Sequence, residues 1–440
     1  MSGRRSQTAR VSEAIPVLVG GEVAALSGAL DAAVVPSDLR VAIVHDDLTQ
    51  RGGAERVVLS MLRRFPDAHL YAGVYDADGT FEEFRSFDVR TTMLQALPHK
   101  GNLARALLPL YPMAFRRLVL RDYDLVISSS SRFAHHVTVE GGAHIVYCYS
   151  PPRFLYRADE YFTDGAPVPP WTRRVLAPVL RWLERRDRAA AARPDHYVAI
   201  SHEVAGRVRD VYGREPSMVH PPVEVGRLED RGLEADPTVV PDDPYLLVVS
   251  RLLPYKRVDV AVHAALRCGL RVVVVGAGPV MAQLQKFDRS RVELRGSVDD
   301  AELASLLRGC IAVLQAGVED FGLMPLEANA AGRPVIAWAR GGAIETVVDG
   351  VTGILVEDGT VEDFVTAIER VQRMTWRPDL LRRHADWFAE ARFFATLDRA
   401  LAGVTARVAV AGAPAPRSVV RVPLRARPAL QLASPVDAAV

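Results

Sequence analysis

The sequence predicts an α/β fold of two tandem Rossmann-like domains, each built on a doubly wound parallel sheet, with a cleft between them. Its 440 residues exceed what one hydrophobic core usually serves, so two domains of about 150 to 200 residues are expected. Short apolar strands alternate with helix-length segments on both sides of an aperiodic middle stretch. The hydrophobic content of 49% and charged content of 24% are typical of a globular chain.

The first half begins with an irregular leader, assigned to residues 1–38, and continues as a domain over 39–222. Arg40–His45 has the character of a strand, and Gly52-Gly53 follows it and opens an apolar-periodic helix to about Phe65. Further buried parallel strands are predicted at Asp124–Ser128, His144–Tyr149 and His196–Ile200.

The second half repeats this alternation after an acidic, proline-containing linker assigned to residues 223–244. A second domain is assigned to 245–376, with strands predicted at Tyr245–Ser250, Arg271–Val275, Val292–Leu294, Ile311–Gln315 and Pro334–Trp338. Helices over 377–401 are expected to pack back on the first domain, and 402–440 to form a disordered tail. Because ligands bind at the carboxyl ends of parallel strands, the cleft is the expected site.

Composition and charge narrow the class of protein. A net charge of +1 gives no overall attraction to nucleic acid. The three cysteines are widely spaced in apolar contexts, which favours free thiols in a reducing cytoplasm. The apolar stretch from Ile15 to Val35 is interrupted by Glu22 and Asp31, so we predict neither a signal peptide nor a membrane span there.

The most specific run is Glu319-Asp-Phe-Gly322-Leu-Met-Pro325-Leu-Glu327, directly after a predicted strand. Pro325 suits the first turn of a helix, where its missing N–H is not needed, and Glu327 falls in the same turn. Glu319 then stays on the loop at the carboxyl end of the strand. A carboxylate there accepts hydrogen bonds from sugar hydroxyls, and the free N–H groups of the helix start suit a phosphate. The alternative is an ordinary acidic first turn.

A second run, Ser250-Arg251-Leu-Leu-Pro-Tyr-Lys256-Arg257, follows the first strand of the second domain. Arg251 and Lys256 are suited to neutralise a diphosphate and the charge that forms as a sugar leaves it. Lysine is rare here, with only Lys100, Lys256 and Lys286 in the chain, which counts against a merely solvated basic loop.

Glycines and histidines give weaker signals. Gly52-Gly53 and Gly341-Gly342 each separate a strand from a helix and allow the backbone to approach a ligand closely. The run Gly276-Ala-Gly278-Pro279 lacks the third glycine of a dinucleotide fingerprint, which disfavours a nicotinamide enzyme. His135 is a candidate catalytic base or acceptor ligand, and a structural histidine is the alternative.

We predict no metal site and no cofactor. Two D-x-D runs occur, Asp76-Ala-Asp78 and Asp122-Tyr-Asp124, but one or two are expected by chance in a chain this rich in aspartate. Neither histidines nor cysteines show zinc-ligand spacing.

At these runs the sequence resembles family 4 retaining glycosyltransferases of the GT-B fold, and among them bacterial GDP-mannose-dependent mannosyltransferases of surface polysaccharide assembly. The resemblance extends from about Arg40 to Leu397 and rests on four runs: the E-x7-E element, S-R-L-x-P-Y-K-R-V-D, the early H-D-x-L with G-G-A-E-R, and P-P-V-E.

The resemblance implies roles for particular residues. Arg251 and Lys256 would bind the donor diphosphate, Glu327 the donor ribose, and Glu319 the transferred sugar. The backbone of Phe321 and Gly322 would assist Glu319. His45, Asp46, Gly52 and Gly53 would face the acceptor and the diphosphate. The implied activity is metal-independent transfer of a hexose, mannose from GDP-mannose, to a glycan or lipid-linked acceptor in envelope polysaccharide or glycolipid synthesis.

The chain departs from many relatives at Tyr147-Cys148-Tyr149-Ser150-Pro151-Pro152-Arg153, where they carry a histidine in a Y-C-H-T-P-x-R run. A nucleotide-sugar epimerase of the same fold, a transferase that uses a UDP-sugar and a non-catalytic scaffold are the competing hypotheses. The arginine-rich run Trp171–Arg188 suggests a helix with a basic face that contacts anionic lipid at the inner face of the membrane, and core packing of its apolar side is the alternative. The expected location is therefore the cytoplasm, and no nucleic-acid partner is expected.

Overall fold

The computed structural model describes residues 39–97, 107–157, 170–228 and 243–410, with backbone alone at 170–176 and 406–410. The predicted leader at 1–38, the linker residues 229–242 and the tail residues 411–440 lie outside the described residues. No helix among the described residues is long and apolar enough to cross a membrane.

The described residues form fifteen strands: β1 Val41–His45, β2 His69–Ala72, β3 Val89–Thr91, β4 Val119–Arg121, β5 Leu125–Ser130, β6 Thr138–Glu140, β7 Ala143–Cys148, β8 His196–Ala199, β9 Ser217–Met218, β10 Tyr245–Val249, β11 Arg271–Val275, β12 Val292–Gly296, β13 Val313–Gln315, β14 Val335–Trp338 and β15 Gly353–Val356.

The α-helices are α1 Gly53–Arg64, α2 Tyr111–Arg117, α3 Arg153–Tyr156, α4 Pro170–Ala191, α5 His202–Tyr212, α6 Val225–Leu228, α7 Val258–Arg267, α8 Met281–Leu284, α9 Asp300–Gly309, α10 Met324–Ala330, α11 Ala343–Thr346, α12 Val361–Arg373, α13 Pro378–Asp386 and α14 Glu390–Val410.

Two parallel sheets organise these elements. The first has seven strands in the order β3-β2-β1-β5-β7-β8-β9, and the second has six in the order β12-β11-β10-β13-β14-β15. Within each sheet the strand order reverses once, beside β1 and beside β10. Such reversals are the places where ligands bind in open α/β sheets. The topology confirms the predicted pair of doubly wound parallel sheets.

Apolar packing joins the two sheets. Strands β1, β5 and β7 are buried along their whole length, as the continuous apolar runs predict. One hydrophobic cluster continues from Val57 and Tyr147 on the first sheet to Phe321 and Leu326 beside the second. Two further clusters cover the remaining faces of the sheets. The two sheets therefore share part of one core.

The chain returns to the first sheet at its carboxyl-terminal end. The ring of Phe393 on α14 packs edge to face on that of Tyr147 of β7, with 6.0 Å between the ring centroids. Arg64 of α1 forms a bidentate ion pair with Asp398. The prediction of a disordered tail from residue 402 is corrected for residues 402–410, because α14 continues to Val410. Leu401 and Val404 are buried apolar residues that keep this part helical.

Phe393→Ala is expected to lower the free energy of unfolding by about 3 to 5 kcal/mol, because it opens a cavity against Tyr147. Its partly exposed neighbour gives the control, Phe394→Ala, whose loss should be clearly smaller. Scanning calorimetry measures both, and equal losses would contradict the packing of α14 on the first domain.

Candidate functional site

The two runs singled out in the sequence lie side by side at the strand reversal of the second sheet. One is the loop after β10, which contains Arg251 and Lys256, and the other is the loop after β13, which contains Glu319. Strands β10 and β13 are neighbours in the sheet, so both loops leave the same edge together. The fold thus brings together residues that are 63 positions apart in sequence.

The backbone of Lys256 packs closely against that of Gly317. The turn Pro254–Lys256 runs past Gly317, where a Cβ atom would lie 2.6 Å from the Lys256 Cα. The side chain is buried and its ammonium group pairs with the carboxylate of Glu319. The ammonium also lies 4.9 Å from the ring centroid of Tyr255. The Lys256 ammonium and the Glu319 carboxylate are therefore in direct contact.

The loop Glu319–Gly322 is fixed by the second glycine pair. Gly342 donates a backbone hydrogen bond of 2.9 Å to the Glu319 carbonyl. A Cβ atom at Gly342 would lie 2.0 Å from the Phe321 carbonyl oxygen, so no side chain fits there. Gly322 has φ of 88°, a left-handed conformation that favours glycine. These glycines set the position of the loop beside the helix α10.

Arg251 and Glu327 flank this pair. Arg251 is exposed and donates a 3.3 Å hydrogen bond to the Tyr255 hydroxyl. Glu327 is in the first turn of α10, as predicted, and is 9% exposed. The exposed Arg251 guanidinium and the N–H groups at the start of α10 are suited to a diphosphate.

Asp320 connects this loop to the first domain. Its carboxylate pairs with the guanidinium groups of Arg153, on α3, and Arg207, on α5. Its backbone oxygen accepts a 2.5 Å hydrogen bond from the hydroxyl of Ser201, which also caps the start of α5. Burial alone would raise the pKa of Asp320, but the two arginines outweigh it and lower the pKa. The donor-side loop is thereby anchored across the domain boundary.

The glycine pair after β1 faces the second domain. Gly53 begins α1, and a Cβ atom there would lie 2.9 Å from the Leu323 side chain beside α10. Gly52 lies against the carboxylate of Glu55. The two loops thus meet across the domain boundary, at the predicted cleft.

His45 is buried, although the resemblance placed it facing an acceptor. Its Nδ1 lies 3.0 Å from the Ser129 hydroxyl, and its Nε2 lies 3.8 Å from the carboxylate of Glu55. The Ser129 hydroxyl in turn contacts the hydroxyl of Tyr149 at 2.9 Å. His45 belongs to a polar network beneath Gly52, so any contact it makes with an acceptor needs rearrangement of this network.

Asp46 binds the protein's own backbone. Its two carboxylate oxygens accept hydrogen bonds from the N–H groups of Ser131, Arg132, Phe133 and Ala134 at 2.6 to 2.8 Å. Burial alone would raise the pKa of Asp46, but Arg132 and these N–H groups outweigh it and lower the pKa. The role that the structure gives Asp46 is to hold the loop after β5, which corrects its assignment to the acceptor.

His135 is also buried, at 2% exposure. Its Nε2 lies 3.1 Å from Asp187 of α4, and its Nδ1 lies 3.2 Å from the Ser130 hydroxyl. The hydroxyl groups of Tyr156 and Tyr212 bind the other oxygen of Asp187, each at 2.8 Å. His135 is therefore a structural histidine. This corrects its assignment as an acceptor ligand or catalytic base.

The D-x-D residues have other partners. Asp78 pairs with Arg85 at 2.6 Å, and Asp124 accepts a hydrogen bond from the Arg40 backbone at 2.8 Å. Within the described residues, the groups spaced to hold a metal ion are His135, His136 and Asp187, and separately His202, His220 and Glu345.

Sequence reasoning missed Arg153, Arg207 and Asp320. Asp320 stands inside the most specific run, and Arg153 ends the run at which the chain departs from its relatives. Arginine is so abundant that neither arginine was distinguishable from a surface residue by sequence alone.

Solved structures share this architecture. The Anabaena protein HepE in complex with UDP and glucose aligns with a TM-score of 0.61 and 18% identity, over 82% of this chain and 99% of that one. Sucrose-phosphate synthase from Thermosynechococcus elongatus aligns with a TM-score of 0.63 and 16% identity, over 84% of this chain and all of the other. At this identity the likeness concerns the fold, and the protein has the GT-B fold.

Sequence comparisons point to the second domain. Residues 233–384 match the family Glycosyl transferases group 1. The chain is 33% identical over 268 residues to D-inositol 3-phosphate glycosyltransferase of Geodermatophilus obscurus, covering 53% of this chain and 57% of that protein. The Mycobacterium bovis protein of the same name is 30% identical over 203 residues, covering 42% of each. The chain thus spans about half the length of the curated relatives it matches, and the family match lies in its second half.

Asp46→Asn is expected to lower the free energy of unfolding by at least about 3 kcal/mol. The nitrogen of the new amide group would face backbone N–H groups, from which it cannot accept a hydrogen bond. The control Asp195→Asn alters an exposed carboxylate that accepts one backbone hydrogen bond, from His144, and should cost less.

The loss should depend on pH. The pKa of Asp46 is lower in the folded state, so its stabilisation is complete above its ordinary pKa of about 4 and disappears as pH falls through the lowered value. Thermal melting of the wild type and of the Asp46→Asn variant across acidic pH measures how the difference in stability changes. A difference that stays constant down to the lowest pH would contradict the assignment.

Proposed function

We propose that the chain is a retaining glycosyltransferase that transfers a hexose from a nucleotide diphosphate sugar to a glycan or lipid-linked acceptor, without a metal cofactor. The observation that carries the proposal is the contact of Lys256 with Glu319 at the strand reversal of a group 1 glycosyl transferase domain. The loop around it provides one group for each part of a donor: cations for phosphate and carboxylates for hydroxyls.

Donor binding would begin with the diphosphate. Its negative charge would draw the Lys256 ammonium away from Glu319, and Arg251 would add a second, exposed cation. Glu319 is then free to accept hydrogen bonds from the transferred sugar. The resemblance to family 4 enzymes gives Glu327 the donor ribose. Neutralisation by arginine, lysine and helix N–H groups supports a reaction without a divalent ion.

Transfer with retention would follow a front-face path. The bond between the anomeric carbon and the phosphate oxygen breaks, and the acceptor oxygen bonds to that carbon on the same face. The acceptor proton goes to the departing phosphate oxygen. Lys256 and Arg251 stabilise the charge on the phosphate, while Glu319 holds the sugar as positive charge builds at the anomeric carbon.

The donor is proposed to be GDP-mannose, on the resemblance to mannosyltransferases. A UDP-sugar is the alternative, and the UDP and glucose in the HepE complex support it. A nucleotide-sugar epimerase of the same fold needs no acceptor, which separates it from a transferase.

A panel of nucleotide sugars tests the function. Release of nucleoside diphosphate should require both one particular donor and an added acceptor, and proton NMR should show the donor's anomeric configuration kept in the product. Turnover without acceptor, with a change of configuration in the recovered donor, would establish the epimerase instead.

The two glutamates should respond differently to mutation. Glu327→Gln loses bonds present in both ground and transition states, so mainly KM should rise. Glu319→Gln weakens positioning of the reacting sugar and should lower kcat by about 10-fold to 1000-fold. Steady-state kinetics with and without EDTA measure both. Glu357→Gln alters an exposed carboxylate after β15 and serves as control. An unchanged kcat in Glu319→Gln, or wild-type activity lost in EDTA and restored by manganese but not by zinc, would contradict the assignment.

We also propose that the surface formed by α2 and α4 contacts anionic lipid. Four arginines, Arg116, Arg185, Arg186 and Arg193, line a cavity of about 420 Å³ beside Trp182. Trp182 is 41% exposed, and the Arg186 guanidinium lies 4.7 Å above its ring. Burial and the charge of Arg116 lower the pKa of Arg193, so an anion would relieve repulsion within this surface.

Wild-type protein should therefore sediment with anionic vesicles at low salt and be released at high salt. Combining Arg185→Glu with Arg186→Glu should weaken this binding at least about tenfold, since each cation near an anionic surface contributes about 1 kcal/mol. The control combines Arg289→Glu with Arg291→Glu, an equal change of charge on exposed residues of the second domain. Wild-type protein left in the supernatant at low salt would rule out the contact.

A further inference from the structure

A second set of side chains bridges the two domains beside the donor loop. His202 begins α5 and His220 follows β9, so both belong to the first domain, whereas Glu345 lies on α11 of the second. One ligand atom from each residue lies within 4.8 Å of the other two. We propose that His202, His220 and Glu345 form a binding site for a divalent transition-metal ion, with zinc as the best match, that ties the two domains together.

The interatomic distances support this site. His202 Nδ1 lies 2.9 Å from Glu345 Oε2, and His220 Nε2 lies 3.1 Å from the same oxygen. A tetrahedral zinc ion with bonds of about 2.0 to 2.1 Å keeps its ligand atoms about 3.3 Å apart. Each histidine nitrogen therefore lies within a few tenths of an ångström of the required spacing from Glu345 Oε2, and the two nitrogens lie within 4.8 Å of each other.

The ligands are held in place by other contacts. Glu345 Oε1 accepts a 2.8 Å hydrogen bond from the His202 backbone, which leaves Oε2 for the ion. The ring of His220 stacks on Phe321 at 5.2 Å and lies 5.5 Å from the ring of Phe388. Rings and a carboxylate fixed by such outer contacts are what a zinc site requires.

Solvent reaches the site from one side. The side chain of Glu345 is 4% exposed, whereas those of His220 and His202 are 28% and 52% exposed. An ion can therefore enter, and the open side leaves room for a water molecule as fourth ligand. Two imidazoles with one carboxylate favour zinc over magnesium or calcium, which prefer oxygen ligands.

The other cluster in the described residues does not share these properties. His135, His136 and Asp187 are all buried, and two tyrosine hydroxyl groups already occupy one oxygen of Asp187. Burial lowers the pKa of His136 to about 4 and keeps it neutral beside the carboxylate. This cluster is enclosed within the first domain and lacks the open side that His202 and His220 give the proposed site.

The site is linked to the donor loop. Gly342, one residue before α11, donates its backbone hydrogen bond to the Glu319 carbonyl, and His220 stacks on Phe321. An ion bound by both domains would hold the Glu319–Gly322 loop against the first domain. This role is separate from the transfer step and does not depend on which sugar is transferred.

Cobalt titration of the chelator-treated, dialysed full chain tests the site directly. Wild-type protein should bind one cobalt ion with the strong visible absorption of tetrahedral coordination, and one equivalent of zinc should displace it. His202→Asn, His220→Phe and Glu345→Gln should each weaken binding at least about tenfold. His220→Phe retains an aromatic ring against Phe321, and Glu345→Gln retains an oxygen for the His202 backbone.

The control is His263→Asn, an exposed histidine on α7, which should bind cobalt like the wild type. Melting temperatures without metal show whether each variant is folded. Absence of tetrahedral absorption in the wild type, or its persistence in the folded His202→Asn and His220→Phe variants, would overturn the proposal. Because no sugar donor is present, this result is independent of the test of transfer.

Discussion

The structure depends on one buried carboxylate at the boundary of its two domains. Asp320 lies between the guanidinium groups of Arg153 and Arg207, and all three side chains are largely buried. Loss of one partner from a buried pair costs about 3 to 5 kcal/mol, because it leaves a charge without compensation in a poorly solvated place. Asp320 is one residue from Glu319, so this ion pair fixes the orientation of the loop on which transfer depends.

This constraint explains how loops from two different sheets are held together at one place. The aromatic cluster of Phe321 and Phe388, the backbone bond from Gly342 to Glu319 and the contact of Gly53 with Leu323 all surround the same loop. Arg153 also lies over the ring of Tyr255, at 5.7 Å, next to Lys256. Arg153 of the first domain therefore contacts both the loop that contains Lys256 and the loop that contains Glu319. Positioning of this kind is a large part of catalysis by transferases.

Local patterns were sufficient to predict the two doubly wound parallel sheets. Continuous apolar runs predicted the buried strands, and the sequence placed Lys256 and Glu319 on loops that follow two strands of one domain. The contact between these two side chains was not predicted, because it depends on β10 and β13 being neighbours in the sheet. Patterns could not predict contacts made by side chains distant in sequence. Asp46 and His135 were misassigned because the sequence shows only that a polar residue follows a strand and does not show what its side chain contacts. Asp46 binds the backbone, and His135 lies against a buried aspartate. Arg207 and Glu345 were missed for the same reason, since their partners are 113 and 143 residues away.

Binding of nucleoside diphosphate to folded protein tests the central claim most directly. The account predicts that calorimetric titration with GDP or UDP shows affinity at least about 100-fold weaker when Arg251→Ala and Lys256→Ala are combined, since each charge-assisted contact contributes about 1.5 to 3 kcal/mol. The matched variant Arg257→Ala removes a neighbouring guanidinium that lies over Trp338 and should bind normally. Unchanged affinity in a folded double variant would contradict the assignment of this loop to the donor diphosphate.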